Sequence, residues 1–363
     1  MSFDTLRPGA ARIRRGPSGI ARGSEYAELS RQVKQAGLLK RRPAYYSVKI
    51  AVNLILFALG WVVFALLGRS WWQLLVAAFL AVTFTQVAFI GHDAGHRQIF
   101  GSKRANDLIG RLHGGLLIGL SYGWWVDKHN RHHAHPNREG YDPDIEDGAL
   151  AFTAADARAR RGARALLARS QAYLFFPMLL LEGINLRVAS VRALLNRTRT
   201  SPRMKLVEGS LLLIHTVGYL AVLFVFLSPL QAVCFLAVQQ GLFGVYMGMS
   251  FAPNHKGMPT VGADEKIDYL RRQVLTSRNV RGGWFTDFVL GGLNYQIEHH
   301  LFPSLPRPSL RRAQALVRSY CEQHGISYAE TSLVHSYTEV LRHLNTVGLN
   351  APRRTPSVDG MGA

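Results

Sequence analysis

The chain has 363 residues, 48% of them apolar, and a formal net charge of +20. Such a charge suits a nucleic-acid binder, but here the basic residues avoid four long uncharged stretches and crowd residues 1–46, 97–170 and 254–363. That segregation points to a membrane protein with one basic side, and nucleic acid is not expected as a partner. With only two cysteines, Cys234 and Cys321, a disulfide framework and a thiolate metal cluster are both excluded.

Residues 1–44 read as a basic, poorly ordered lead without the apolar core of a signal peptide, its last part approaching the membrane surface as a polar helix or loop. Residues 48–68 and 71–90 are almost free of charge and reach the length of about 20 residues that a helix needs to cross a bilayer. The second of these spans carries His92 and His96 of "GHDAGH" out of its far end. Leu112 to Asn130 is apolar but short and glycine-rich, so it is expected to dip into the interface without crossing; residues 173–186, interrupted by Pro177, Glu182 and Asn185, are expected to do the same. Residues 209–227 and 230–252 form a second pair of spans, followed by "NYQIEHHLFP", a helix-like segment from Leu310 to about Val347, and a flexible tail over 346–363. The tight links within the two pairs carry only Arg69, which by the positive-inside rule places both termini and every histidine cluster in the cytoplasm. The expected fold is an all-α membrane protein: four transmembrane helices in two hairpins under a cytoplasmic, histidine-rich helical cap.

Fourteen histidines are notable mainly for their placement. His92 and His96 are four apart and share a helix face; His129, His132 and His133 occupy little more than one turn; His299 and His300 follow a glycine-rich apolar run. Three imidazoles on one turn are costly to hold together unless a cation keeps them neutral and apart. A zinc protease is disfavoured because Asp93, not glutamate, follows His92. Imidazole binds a transition metal without adding negative charge and leaves coordination positions open. Asp93, Asp142, Asp144 and Glu298 are candidate acceptors for imidazole N–H groups, with ordinary loop carboxylates as the competing reading. His135 is a weaker candidate for the same neighbourhood, while His113, His215, His324, His335 and His343 stand alone and read as structural or exposed.

Three boxes of the form HxxxH, HxxHH and QxxHH, ordered around apolar hairpins, resemble the integral-membrane fatty acid desaturase family. The likeness extends through "FAPNHKGMP" at 251–259, "QVLTSRNV" at 273–280 and "LFPSLPRP" at 301–308, and it implies a desaturase domain over residues 45–345. It further implies two iron ions held by His92, His96, His129, His132, His133, His299 and His300, with His255 as a further ligand and Asn254 holding a metal-bound water. Dioxygen would be the co-substrate, and a fatty acyl lipid or acyl-CoA the substrate. Because no nucleotide fingerprint, flavin motif or haem-binding "HPGG" is present, electrons would come from a separate ferredoxin-type or cytochrome-type carrier with its reductase.

Two other functions compete with this reading. One is a membrane hydroxylase or ketolase on the same scaffold; the other is a metal or haem carrier, which the lack of an acidic ladder along the spans disfavours. Gln296 resembles the front-end desaturases, and its amide has three open roles: a hydrogen bond to a ligand, weak ligation through oxygen, or packing. Trp124 and Trp125 either line an acyl channel or anchor the interface. Arg271, Arg272, Arg278 and Arg281 either meet phosphate groups or simply belong to the basic face.

Overall fold

The computed structural model describes residues 24–146, 148–196 and 201–352. Residues 1–23 of the expected disordered lead and 353–363 of the expected tail lie outside the described residues. Helices dominate: α1 (Ser24–Gln35), α2 (Pro43–Leu67), α3 (Gln73–Gly95), α4 (Lys103–Arg111), a π-helical turn (Leu112–Leu117), α5 (Tyr122–Ala134), α6 (Ala154–Ala159), α7 (Gly162–Leu179) and α8 (Glu182–Leu195). They continue with α9 (Pro202–Phe226), α10 (Pro229–His255), α11 (Tyr269–Leu275), α12 (Trp284–Val289), α13 (Gln296–Leu301), α14 (Leu310–Gln323) and α15 (Leu333–Gly348).

Local chemistry sets the ends of the long helices. Proline stands in the first turn of α2, α9 and α10, where its missing N–H costs nothing. Ser201 and Ser228 cap the last two, and Ser228 forms a reciprocal capping box with Gln231, which makes the abrupt turn between α9 and α10. α2, α3, α9 and α10 are long and apolar enough to cross a membrane, and α7 with α8 passes the same test as a pair bent by 86°. α3 is the most buried of the four, packed between α2 and α10. Its Phe84, Val87 and Leu80 join Phe64, Phe235 and Phe243 in one apolar core.

A second core gathers Leu29 and Val33 of α1, Leu270 of α11, Ile297 and Leu301 of α13, and Val317 and Tyr320 of α14. The last part of the lead, expected as a polar helix or loop, forms α1 from Ser24, and its core is what the sequence reading did not supply: Leu29, Val33 and Leu38 find apolar partners more than 200 positions away. Likewise residues 346–351 are packed rather than tail-like. Val347 and Ala351 are buried, and the Ala351 carbonyl accepts from Arg169 Nη1 at 3.0 Å. The all-helical expectation also missed one small sheet, in which β1 (Asn279–Arg281) and β2 (Glu330–Ser332) pair in parallel with Val280 opposite Thr331. Three-residue strands carry too little alternation to be seen in sequence.

Candidate metal centre

Four elements converge on one buried layer of imidazoles. The last turn of α3 and its cap bring His92 and His96, α5 brings His129, His132 and His133, the final residue of α10 is His255, and α13 brings His299 and His300. Asn279 locks the short α13 in place: its Oδ1 accepts from Ile297 N at 2.9 Å, while its Nδ2 donates to Glu298 Oε2 at 2.7 Å.

The imidazoles form two sets. Ligand atoms of His92, His96, His129 and His299 all lie within 4.8 Å of one another, as do those of His132, His255 and His300. Within the second set, His255 Nε2 is 3.3 Å from His132 Nε2 and 3.0 Å from His300 Nε2. His133 bridges the sets, with Nε2 3.1 Å from His129 Nε2 and its ring stacked on His300 at 4.2 Å between centroids. The Nε2 atoms of His92, His96 and His299 are buried with no hydrogen-bond partner. Bare nitrogens turned toward a common point in a dry interior are costly in a metal-free protein and are the donor set that first-row metals take.

The far side of several rings is fixed by a definite partner, which sets the tautomer. Asp142 faces His132 Nδ1 at 3.0 Å, Gln273 Oε1 faces His300 Nδ1 at 3.0 Å, and the Thr276 carbonyl faces His255 Nδ1 at 3.0 Å. Asp93 Oδ1 lies 3.3 Å from His92 Nδ1, and its Oδ2 pairs with Arg307 at 2.6 Å. His132, Asp142 and Asp144 are also close enough together to hold a cation. However, Asp142 meets the nitrogen of His132 that points away from His255, and it already accepts from the backbone N–H of Asn137 at 2.7 Å and of Asp144 at 2.9 Å. Burial opposes charge on both partners, yet their contact outweighs it: Asp142 is held below the ordinary carboxylate range and His132 above the ordinary imidazole one.

Gln296 stands beside the second set. Its Nε2 is 2.9 Å from His255 Nε2, and its Oε1 accepts from Asn254 Nδ2 at 3.3 Å. Asn254 is buried, and its Oδ1 has no partner.

Other candidates sit elsewhere. Glu298 does not meet an imidazole; its second oxygen accepts from Tyr328 OH at 2.8 Å, and burial pushes it up to about 7 despite both hydrogen bonds. Asp144 pairs with Lys128, its backbone carbonyl accepts from Lys256 at 2.8 Å, and it approaches His132 Nδ1 only at 3.5 Å. The His135 ring lies against Tyr141, away from the layer. His113, His215 and His324 each bond a backbone carbonyl through Nδ1, His343 does so through Nε2, and His335 lies 3.5 Å from Glu339. Trp125 stacks on His129 at 4.6 Å, whereas Trp124 lines a separate, wide groove. Of the four arginines, Arg271 is spent on Glu25 and Asp268, and Arg278 on the carbonyls of Pro253 and Lys256, where it steadies the end of α10 beside His255. Arg272 lies over the Tyr269 ring, and Arg281 is exposed.

Sequence reasoning did not single out Gln273, Arg307 or Asn279. All three fall inside the quoted "QVLTSRNV" and "LFPSLPRP" runs, which was the only signal available for them. Against His92 of the first set lies a small apolar pocket, with about 40 Å³ of free space, whose walls include Phe89, Ile118, Leu120, Trp125 and Met247. A donor layer able to hold metal thus borders a narrow apolar space.

Comparison with known proteins agrees with this chemistry. Residues 69–332 match the family model described as fatty acid desaturase. The chain is 31% identical over 329 residues to a Delta(8)-fatty-acid desaturase of Euglena gracilis, covering 88% of this chain and 78% of that one. It is 28% identical to an acyl-lipid (9-3)-desaturase of Physcomitrium patens, covering 89% of this chain but 62% of that protein's length. A Delta(6)-fatty-acid desaturase of Caenorhabditis elegans is 28% identical over 334 residues, with 89% and 74% covered.

Proposed function

Because the chain belongs to the fatty acid desaturase family, we propose that it removes a hydrogen from each of two adjacent methylenes of a long-chain acyl group carried on a glycerolipid or on coenzyme A, consuming dioxygen. The observation that carries this reading is the pair of buried imidazole sets directly above an apolar pocket that His92 helps to line. One iron would be held by His92, His96, His129 and His299, the other by His132, His255 and His300, with His133 between them and Asn254 and Gln296 at the border of the second. When bound, iron supplies the dioxygen-dependent oxidant that unactivated C–H bonds require and that side chains cannot provide.

The protein's own part is orientation and exclusion. Asp142, Gln273 and the Thr276 carbonyl keep the proton of their partner imidazoles on Nδ1, leaving Nε2 free to ligate. Phe89, Trp125, Met247 and Phe251 keep water from the chain beneath the layer. Two electrons would arrive from a separate ferredoxin-type or cytochrome-type carrier docking on the basic face. In the arrangement that best fits the charge distribution, α2 with α3 and α9 with α10 form two membrane hairpins, and both termini and the histidine layer face the cytoplasm. Residues 45–345 would be the catalytic domain.

The test is expression in a host that lacks the product, with mass spectrometry of total lipids and metal analysis of the purified protein. A new acyl species lighter by one hydrogen pair, with about two irons per chain, is the expected result. A species heavier by one oxygen atom would make the protein a hydroxylase, and full activity with zinc alone would refute the site.

A further inference from the structure

Residues 112–121 are an irregular stretch set among the long apolar helices: the π-helical turn Leu112–Leu117, then a non-helical link to α5. One side of it, through Gly114, Ile118, Leu120 and Ser121, walls the apolar pocket beneath His92. From the other side, distant segments hold its backbone. Arg187 of α8 donates to the Gly119 carbonyl at 3.4 Å, and His215 of α9 meets the Leu116 carbonyl through Nδ1 at 2.9 Å. Ser190 Oγ accepts from Ser121 N at 3.0 Å, while Glu208 accepts from Gly123 N at 2.9 Å and from Ser121 Oγ at 2.5 Å.

Irregular backbone among membrane helices must be satisfied by protein, and these contacts do so. Neutral hydroxyls or amides would serve that need, as Ser190 does. A guanidinium is an expensive choice in such a place. Arg187 has no carboxylate partner among the described residues; it is anchored through Nε to Gln240 Oε1 at 2.9 Å, and its Nη2 is buried without a partner. Gly119, at φ +68, fits between the two rigid heads: a Cβ there would lie 2.2 Å from Arg187 Nη1 and 2.4 Å from His215 Cδ2. The wall is therefore pinned by planar groups that leave it little room to shift. An acyl chain seated against it needs a displacement of only about 1.5 Å, one C–C bond, to present a different carbon.

Building on the desaturase reading, we propose that Arg187 and His215 are positioning residues that set which methylene pair is oxidised, by fixing the Ile118–Leu120 wall and hence the seating of the acyl chain under His92. Neither touches the reacting carbons. Their effect is on register, which a role in folding alone would not move.

The experiment locates the double bond in products from cells expressing wild type, Arg187→Gln, Arg187→Lys, His215→Ala and Gly119→Ala, and compares the ratio of positional isomers rather than total yield. Wild type should give one dominant isomer. Arg187→Gln, His215→Ala and Gly119→Ala should raise the minor isomer about tenfold, the scale on which an apolar pocket distinguishes one methylene, with Arg187→Lys in between. Val188→Ala, on the exposed side of the same helix, should keep the wild-type ratio. Should Arg187→Gln fail to accumulate, Arg187→Lys and Gly119→Ala decide the matter. An unchanged isomer ratio in every accumulating variant, whatever the yield, overturns the proposal. A wild type that inserts oxygen overturns the desaturase reading alone, since the position of the oxygen then reports the same ratio.

Discussion

At the scale of single residues, the second imidazole set is the most exposed to test. His132→Ala and His300→Ala should each abolish product while the protein still accumulates in membranes, because each removes a donor that no neighbour replaces. Activity assays beside immunoblots of the membrane fraction check this, and normal activity in either variant would contradict the site. Asp142→Asn keeps the shape but loses the charge and one of the two acceptor oxygens shared among His132, Asn137 N and Asp144 N, so metal affinity, read as metal retained after dialysis against a chelator, should fall about 10- to 100-fold. Gln296→His should retain product if the amide merely packs. Loss of product would show that the pairing with His255 and Asn254 is required. The spacing of His92 with His96, and of His129 with His132 and His133, is legible in sequence because helix geometry is local. That His300 meets Gln273, or that Arg307 holds Asp93, depends on how α11, α13 and the segment before α14 pack, and no periodicity encodes it.

At the scale of elements, α8 lies so close to α10 that only glycine fits. A Cβ on Gly244 would be 2.5 Å from the Leu179 carbonyl oxygen and 2.6 Å from Gly183 N, both backbone atoms that cannot yield cheaply. Gly244→Ala should therefore destabilise by about 1–3 kcal/mol, seen as a lower unfolding temperature in detergent. Gly218→Ala on the open side of α9, with nothing within 4 Å, should change little or stabilise slightly. The long helices were legible because uninterrupted apolar runs of this length have few alternatives. The bend between α7 and α8 was legible only as a disturbance, through Pro177, Glu182 and Asn185, and α1 only as a polar helix or loop without its packing partners. Its apolar residues make sense only against α14 and the segment around Phe302, which the chain reaches much later.

At the scale of the whole molecule, metal held by both imidazole sets would tie α3, α5, α10 and α13 together, so it should appear as global stability. A ligand binding only the folded state at 100 times its dissociation constant adds about 2.7 kcal/mol. Treatment with a strong chelator should thus lower the unfolding temperature of the wild type markedly and that of a His132→Ala, His300→Ala double variant much less; equal shifts in both would place the metal elsewhere. The same spread of donors has a consequence for biogenesis. His92 and His96, followed by His129, emerge from the ribosome long before His299 closes the first set, so for most of synthesis the chain carries a partial, open chelator. Copper and zinc outcompete ferrous iron at such a cluster. Under the proposed iron centre, faithful loading would depend on timing: iron would have to be delivered after α13 has docked, and a cell that slows translation late in this chain, or overproduces it in excess copper, should accumulate well-inserted but wrongly metallated protein.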